Sequence, residues 1–174
     1  MRKGLDLLYA ASGVAAAGFI VLICLVVSAQ VALNLITRIF GTEYSYTIPS
    51  YADFAGFFLA AASFLALAFT LTRGGHIRVT LVLQALGDGP RLAAELLSLA
   101  LGAALSGFAS WYMIGLNIES WRYGDLSFGI IAIPIWVPQM AVSAGLVILT
   151  VAFVDLFVQT ARAGQPVLQD QGEA

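Results

Sequence analysis

The stretch LLYAASGVAAAGFIVLICLVVSAQVALNLIT, residues 7–37, contains no Asp, Glu, Lys or Arg. Uncharged apolar runs recur between Asp53 and Arg73, between Glu95 and Glu119, and between Asp125 and Asp155. Each holds about 20 residues or more, the length a helix rising 1.5 Å per residue needs to cross roughly 30 Å of hydrocarbon. None of the runs alternates apolar with polar side chains, and lipid leaves backbone groups no partner but the chain itself, so helix is favoured over strand. The fold class is therefore all-α and integral to a membrane, with four transmembrane helices. The spans fall at roughly 10–37, 52–72, 94–116 and 134–157 within a membrane domain covering 1–163, and 164–174 is a polar cytoplasmic tail. The first run is longer than a perpendicular helix requires and predicts a tilted or projecting helix.

Composition agrees. The chain has 174 residues, 60 % hydrophobic and only 10 % charged, against about 25 % charged in a soluble domain. A single water-soluble core of this size could not hide so much apolar surface. The net charge of −2 and the lack of any basic run exclude nucleic acid as a partner. The single cysteine, Cys24, lies within an apolar run, so neither a disulfide framework nor a multi-cysteine metal site is available.

The first residues imitate a secretory signal, with Arg2 and Lys3 before an apolar stretch and Val27-Ser28-Ala29 as a candidate cleavage site. The apolar run continues through Val31, Leu33 and Ile36, which favours an uncleaved first span. With the N-terminus inside, the inner segments carry Arg2, Lys3, Arg73, Arg78, Arg91 and Arg162, and the outer loops only Arg38 and Arg122. Both termini are thus expected in the cytoplasm. Tyr44, Tyr46, Tyr51, Trp111, Tyr112, Trp121, Tyr123 and Trp136 gather toward the outer boundary, while Tyr9 alone marks the inner one. This skew is read either as plain anchoring or as an outer face that binds something.

After span two, Arg73-Gly74-Gly75-His76-Ile77-Arg78-Val79 leaves the membrane through two glycines. Ile77, Leu81, Val82, Ala85 and Leu86 then recur opposite Arg78 and Gln84, which predicts a short interfacial helix between spans two and three. Gly87-Asp88-Gly89-Pro90 is expected to break it before span three. Residues 126–133 read as an extended or interfacial approach to span four, with Pro134 and Trp136 fixing its opening. Gly102, Ser106 and Ser110 form a small-residue stripe, and Gly56 with Ala60 a shorter one, of the kind that lets helices approach closely in lipid.

Chemistry is sparse. A carrier or redox centre would keep costly polar groups at mid-depth. Here Gln30, Asn34 and Asn117 lie near outer ends, and the other polar groups are scattered serines and threonines. One histidine, His76, rules out bis-histidine haem and multi-histidine metal ligation. No nucleotide-binding glycine loop, Ser/His/Asp set or paired carboxylates can be assembled. The chain reads as no enzyme, with no catalytic residue, metal or cofactor of its own.

The Gly74-to-Val79 string after span two, taken with Gly124, Ser127, Ile133-Pro134, Trp136 and Gly145 around the opening of span four, resembles the small membrane subunit (the Q-type, or small permease, component) of tripartite ATP-independent periplasmic (TRAP) transporters. The resemblance covers nearly the whole chain. Two positions depart from the family pattern: Thr80 stands where an acidic residue is usual, and Asp53 where a Glu is.

That resemblance implies a non-catalytic subunit of the bacterial inner membrane. It would scaffold a large membrane permease subunit and help dock a periplasmic substrate-binding protein, for sodium-driven uptake of a small organic anion. Sodium coupling would reside in the large subunit. Arg73, His76 and Arg78 would hold an interfacial segment against membrane lipid. Glu43, Tyr44, Tyr46, Tyr51, Asp53, Trp121, Tyr123 and Ser127, in outer loops over 43–51 and 119–127, are docking candidates; for each of these residues the alternative is simple anchoring of a helix end. Two other functions compete: a self-sufficient oligomeric carrier or channel lined by serines, and a membrane anchor for a redox enzyme, which the single histidine disfavours.

Overall fold

The computed structural model describes residues 2–41, 46–74 and 88–165. Among these it contains four helices long and apolar enough to cross a membrane, and no strand beyond one isolated bridge. They are α1 (Arg2–Phe40), α2 (Tyr51–Thr72), α3 (Asp88–Tyr123) and α4 (Trp136–Ala163). The expected interfacial helix over 77–86 lies outside the described residues, as do 166–174 of the expected tail.

The outer two helices are longer than a perpendicular crossing requires. At 1.5 Å per residue the 39 residues of α1 reach about 58 Å and the 36 of α3 about 54 Å, well past a 30 Å core. Helix α3 starts at Asp88, so Gly89-Pro90 forms its first turn, while Gly87 and the segment before it lie outside the described residues. A proline is tolerated there because the first N–H groups of a helix have no intrahelical acceptor. The same helix continues to Tyr123, so Trp121 and Tyr123 stand on its last turns and not in a loop.

The helices stand in a row whose spatial order is α1, α2, α4, α3. Helix α1 packs on α2, α2 on α4, and α4 on α3, with only slight contact between α1 and α4. Lipid removes the hydrophobic drive between helices, so close packing of small residues must join them. The central pair shows this most clearly. A Cβ on Gly145 of α4 would lie 2.6 Å from the backbone carbonyl of Phe64 in α2, nearer than a side chain can approach. Ala61, Ala62, Leu65 and Ala68 of α2 are buried, as are Leu149 and Ala152 of α4.

The flanking helices use the same device. Gly13 of α1 faces the Phe69 ring, with 2.7 Å between an added Cβ and Cγ. Gly102 of α3 faces the ring of Phe153, at 2.5 Å. Ser110, two turns on, shares a 3.2 Å hydrogen bond with Thr150 of α4. The Gly102–Ser106–Ser110 stripe therefore serves packing within the chain, whereas Gly56 has open space around it. The main apolar cluster, Tyr9, Ala68, Leu71, Leu99, Leu149, Ala152 and Leu156, lies toward the end of the row where the termini are.

Candidate functional site at the end opposite the termini

At the opposite end, two connections are locked to each other and to α1. The first begins with Gln30, buried within α1 at 3 % exposure. Its Oε1 accepts the Ile48 amide proton at 2.8 Å, and its Nε2 donates to Asn34 Oδ1 at 2.9 Å. A buried amide satisfied on both sides rigidifies its surroundings, because leaving either group unpaired in a low-dielectric setting is costly.

Ser50 follows as the residue capping α2. Serine at this position usually turns its hydroxyl onto its own helix. Here Ser50 takes a left-handed backbone, φ 57° and ψ 23°, and makes no such cap. Its Oγ accepts the amide proton of Ile131 at 2.9 Å instead. A non-glycine residue in this region costs about 1–3 kcal/mol and persists only where its surroundings hold it.

The second connection is a tight hairpin. Gly124 takes φ 67° after α3, and the Asp125 amide closes back on the Ser120 carbonyl at 3.1 Å, a Schellman stop. Ser127 N–H donates to the Ile133 carbonyl at 2.8 Å, and Ile135 N–H to the Asp125 carbonyl at 3.0 Å. Between these bonds Leu126 and Pro134 form the isolated antiparallel bridge. Proline fits because this pair exchanges no ladder hydrogen bond. The Ser127 hydroxyl accepts from Ile133 N–H at 2.9 Å and donates to the Ile131 carbonyl at 3.3 Å, filling the loop from within.

Gly129, at the tip, is where hairpin meets α2. A Cβ there would collide with the carboxylate of Asp53 and lie 2.6 Å from Ser50 Oγ. Beside it, Phe128 and Ile130 point outward and are almost wholly exposed.

Of the sequence candidates, Tyr51 and Asp53 open α2, Asp53 against Gly129, and Ser127 organises the hairpin that Pro134 and the half-buried Trp136 complete. Trp136 opens α4, two residues beyond the expected start of span four. Tyr46, Trp121 and Tyr123 are exposed around this end. Arg73 lies apart at the far end of α2, 5.1 Å from the centre of the Phe69 ring. Glu43, Tyr44, His76 and Arg78 lie outside the described residues. Sequence reading passed over Ser50 and Gly129. The turn signal Pro49-Ser50 and a glycine between two large apolar residues were visible, but not their meeting across the fold.

Ser110 is level with Thr150, the fifteenth of the 28 residues of α4, so Trp111 and Tyr112 lie level with the middle of that helix. Both are exposed, at 78 % and 59 %, and Tyr112 packs on Phe108 with ring centres 4.6 Å apart.

Among curated proteins and among solved structures, no match to the chain is found. The DctQ component of tripartite ATP-independent periplasmic transporters matches residues 23–163, from the middle of α1 to the last residue of α4 and through the whole locked end. Four apolar membrane-length helices, the hairpin before α4 and this match over most of the chain place it in the DctQ family, the small component of TRAP transporters.

Proposed function

We propose that this chain is a non-catalytic scaffold that holds the large permease subunit in the bacterial inner membrane and presents a docking surface to the substrate-binding protein. The locked end is the periplasmic one, and both termini are cytoplasmic, as the six-to-two distribution of basic residues favours. The observation that carries the reading is the clamp between Ser50, Asp53 and the 125–135 hairpin. It fixes two loops 81 positions apart in sequence as one surface, fringed by exposed Tyr46, Trp121, Tyr123, Phe128 and Ile130. Aromatic side chains on a preorganised support are the usual anchors of a protein interface.

Transport chemistry belongs to the partner. The polar contacts between α3 and α4, Ser110 with Thr150 and Asn117 with Ser143, are neutral, and the carboxylate of Asp155 in α4 is taken up by the Tyr9 hydroxyl of α1. Sodium coupling and the passage of a small organic anion reside in the large subunit, and this chain needs no cofactor. Purification of the tagged chain from native membranes tests the proposal. A stoichiometric large polytopic companion is expected, as is no uptake by the chain alone in liposomes. Sodium-driven uptake by the lone chain would replace the scaffold with a self-sufficient carrier.

A further inference from the structure

At the end of the row where the termini lie, α1 and α2 flank a half-open cavity of about 340 Å³ lined by Asp6, Tyr9, Ala10, Phe69, Thr72 and Arg73. That volume is within the range of small-molecule sites, roughly 300–1,000 Å³. Its α1 wall precedes residue 23, where the match to the DctQ family begins. The wall is held firmly. Tyr9 is 3 % exposed, and its hydroxyl donates to Asp155 Oδ2 of α4 at 3.3 Å, tying α1 across to the central helices.

The lining has three chemical parts. Arg73 supplies a guanidinium, a donor fork suited to phosphate oxygens. Asp6, an exposed carboxylate from the other helix, supplies an acceptor for a cation. Phe69 and Ala10 supply an apolar wall. Opposite charges over an apolar wall, at the end of two membrane-spanning helices, match a molecule carrying a cationic amine, a phosphate and an aliphatic tail in sequence. We infer that this cavity binds a phospholipid with a primary-amine zwitterionic headgroup, phosphatidylethanolamine in kind: the phosphate on Arg73, the ammonium on Asp6, and the glycerol and upper acyl chain along Phe69 and Ala10. A primary ammonium donates hydrogen bonds to a carboxylate, whereas a trimethylated amine has none to give, and a glycerol headgroup brings no cation. Basic pockets between membrane helices bind phospholipid head groups through their phosphates, and Asp6 adds to such a pocket a partner for an ammonium group. This inference stands apart from the transporter role and needs only that the helices span a bilayer.

The test is lipid retention by the full chain, purified in mild detergent and measured by native mass spectrometry with equal mole fractions of dioleoyl phosphatidylethanolamine, phosphatidylcholine and phosphatidylglycerol. The ethanolamine lipid is expected to be retained several-fold over the other two. Asp6→Asn, nearly isosteric at an exposed position, should erase the preference for ethanolamine over choline. Arg73→Gln should lower retention of all three lipids. Equal retention by the unaltered chain, or a preference that survives Asp6→Asn, would overturn the assignment. Soluble phosphoethanolamine, which lacks the tail, should not displace the lipid; displacement at comparable concentration would make the ligand a dissolved phosphoamine and defeat the lipid reading.

Discussion

The Ser50 hydroxyl accepts the backbone proton of Ile131 at 2.9 Å, joining residues 81 positions apart in sequence. The bond closes the end of the molecule opposite its termini, because Ser50 precedes α2 and Ile131 sits in the hairpin leading into α4. Both helices belong to the central pair of the row, so loop position and helix packing are linked.

Gly129→Ala is expected to open this end. The added methyl meets the Asp53 carboxylate and Ser50 Oγ, and overpacking of this kind costs about 1–3 kcal/mol. A lowered melting temperature of the purified chain would report it, and Gly129→Ala combined with Asp53→Ala should regain part of the loss. If the single variant melts like the unaltered chain, the hairpin is not held against α2.

Gly145→Val should be more severe than Gly56→Ala. Gly145 meets Phe64 backbone, which cannot move aside without shifting α2, whereas nothing lies within 4 Å of a Cβ on Gly56. Denaturant unfolding in detergent micelles should show a large drop for the first and almost none for the second. Equal effects would mean that α2 and α4 do not approach as closely as described.

The hydrogen bond between Ser110 and Thr150 should matter little. Each hydroxyl also bonds the carbonyl four residues earlier in its own helix, at 2.8 Å to Ser106 and 2.9 Å to Leu146. Interhelical hydrogen bonds in membranes average about 0.6 kcal/mol. A double-mutant cycle with Ser110→Ala and Thr150→Val should return a coupling near that figure. A coupling above about 2 kcal/mol would exceed the range such pairs show and assign the site a further role.

Trp111→Ala and Tyr112→Ala separate stability from partnership. Both side chains are exposed on α3, so the isolated chain should keep its stability to within about 0.5 kcal/mol. Under the scaffold proposal, the ring N–H and O–H of these residues find acceptors on the large subunit, and recovery of that companion on purification should fall several-fold. Unchanged recovery would move the contact to another face.

The spans were legible in the sequence because an unpaired charge cannot rest in hydrocarbon, and the uncharged runs mark them whatever the fold. The ends were not, since α3 continues through Glu119 and Arg122 to Tyr123, past the point where its uncharged run stops. The hairpin was partly legible in Pro134, but its closure depends on Ser127, whose hydroxyl serves two backbone groups at once. The order of the row was not legible. Every helix is apolar on most sides, so hydropathy does not say which neighbour it meets. Gly145 was noted in the motif around span four, yet only its distance to Phe64 identifies what it touches.

The placement of α4 between α2 and α3 also bears on how the protein is made. Helices α1 and α2 are joined by a short connection and pack on each other, as do α3 and α4. Each pair can therefore leave the ribosome and enter the bilayer as a finished hairpin, with the second docking onto the first along the Gly145–Phe64 seam only after synthesis of α4. Assembly so divided needs no covalent link between the halves. Two fragments separated within 75–87 and expressed together should recover the intact chain's companions, much as if the gene had been written in two pieces.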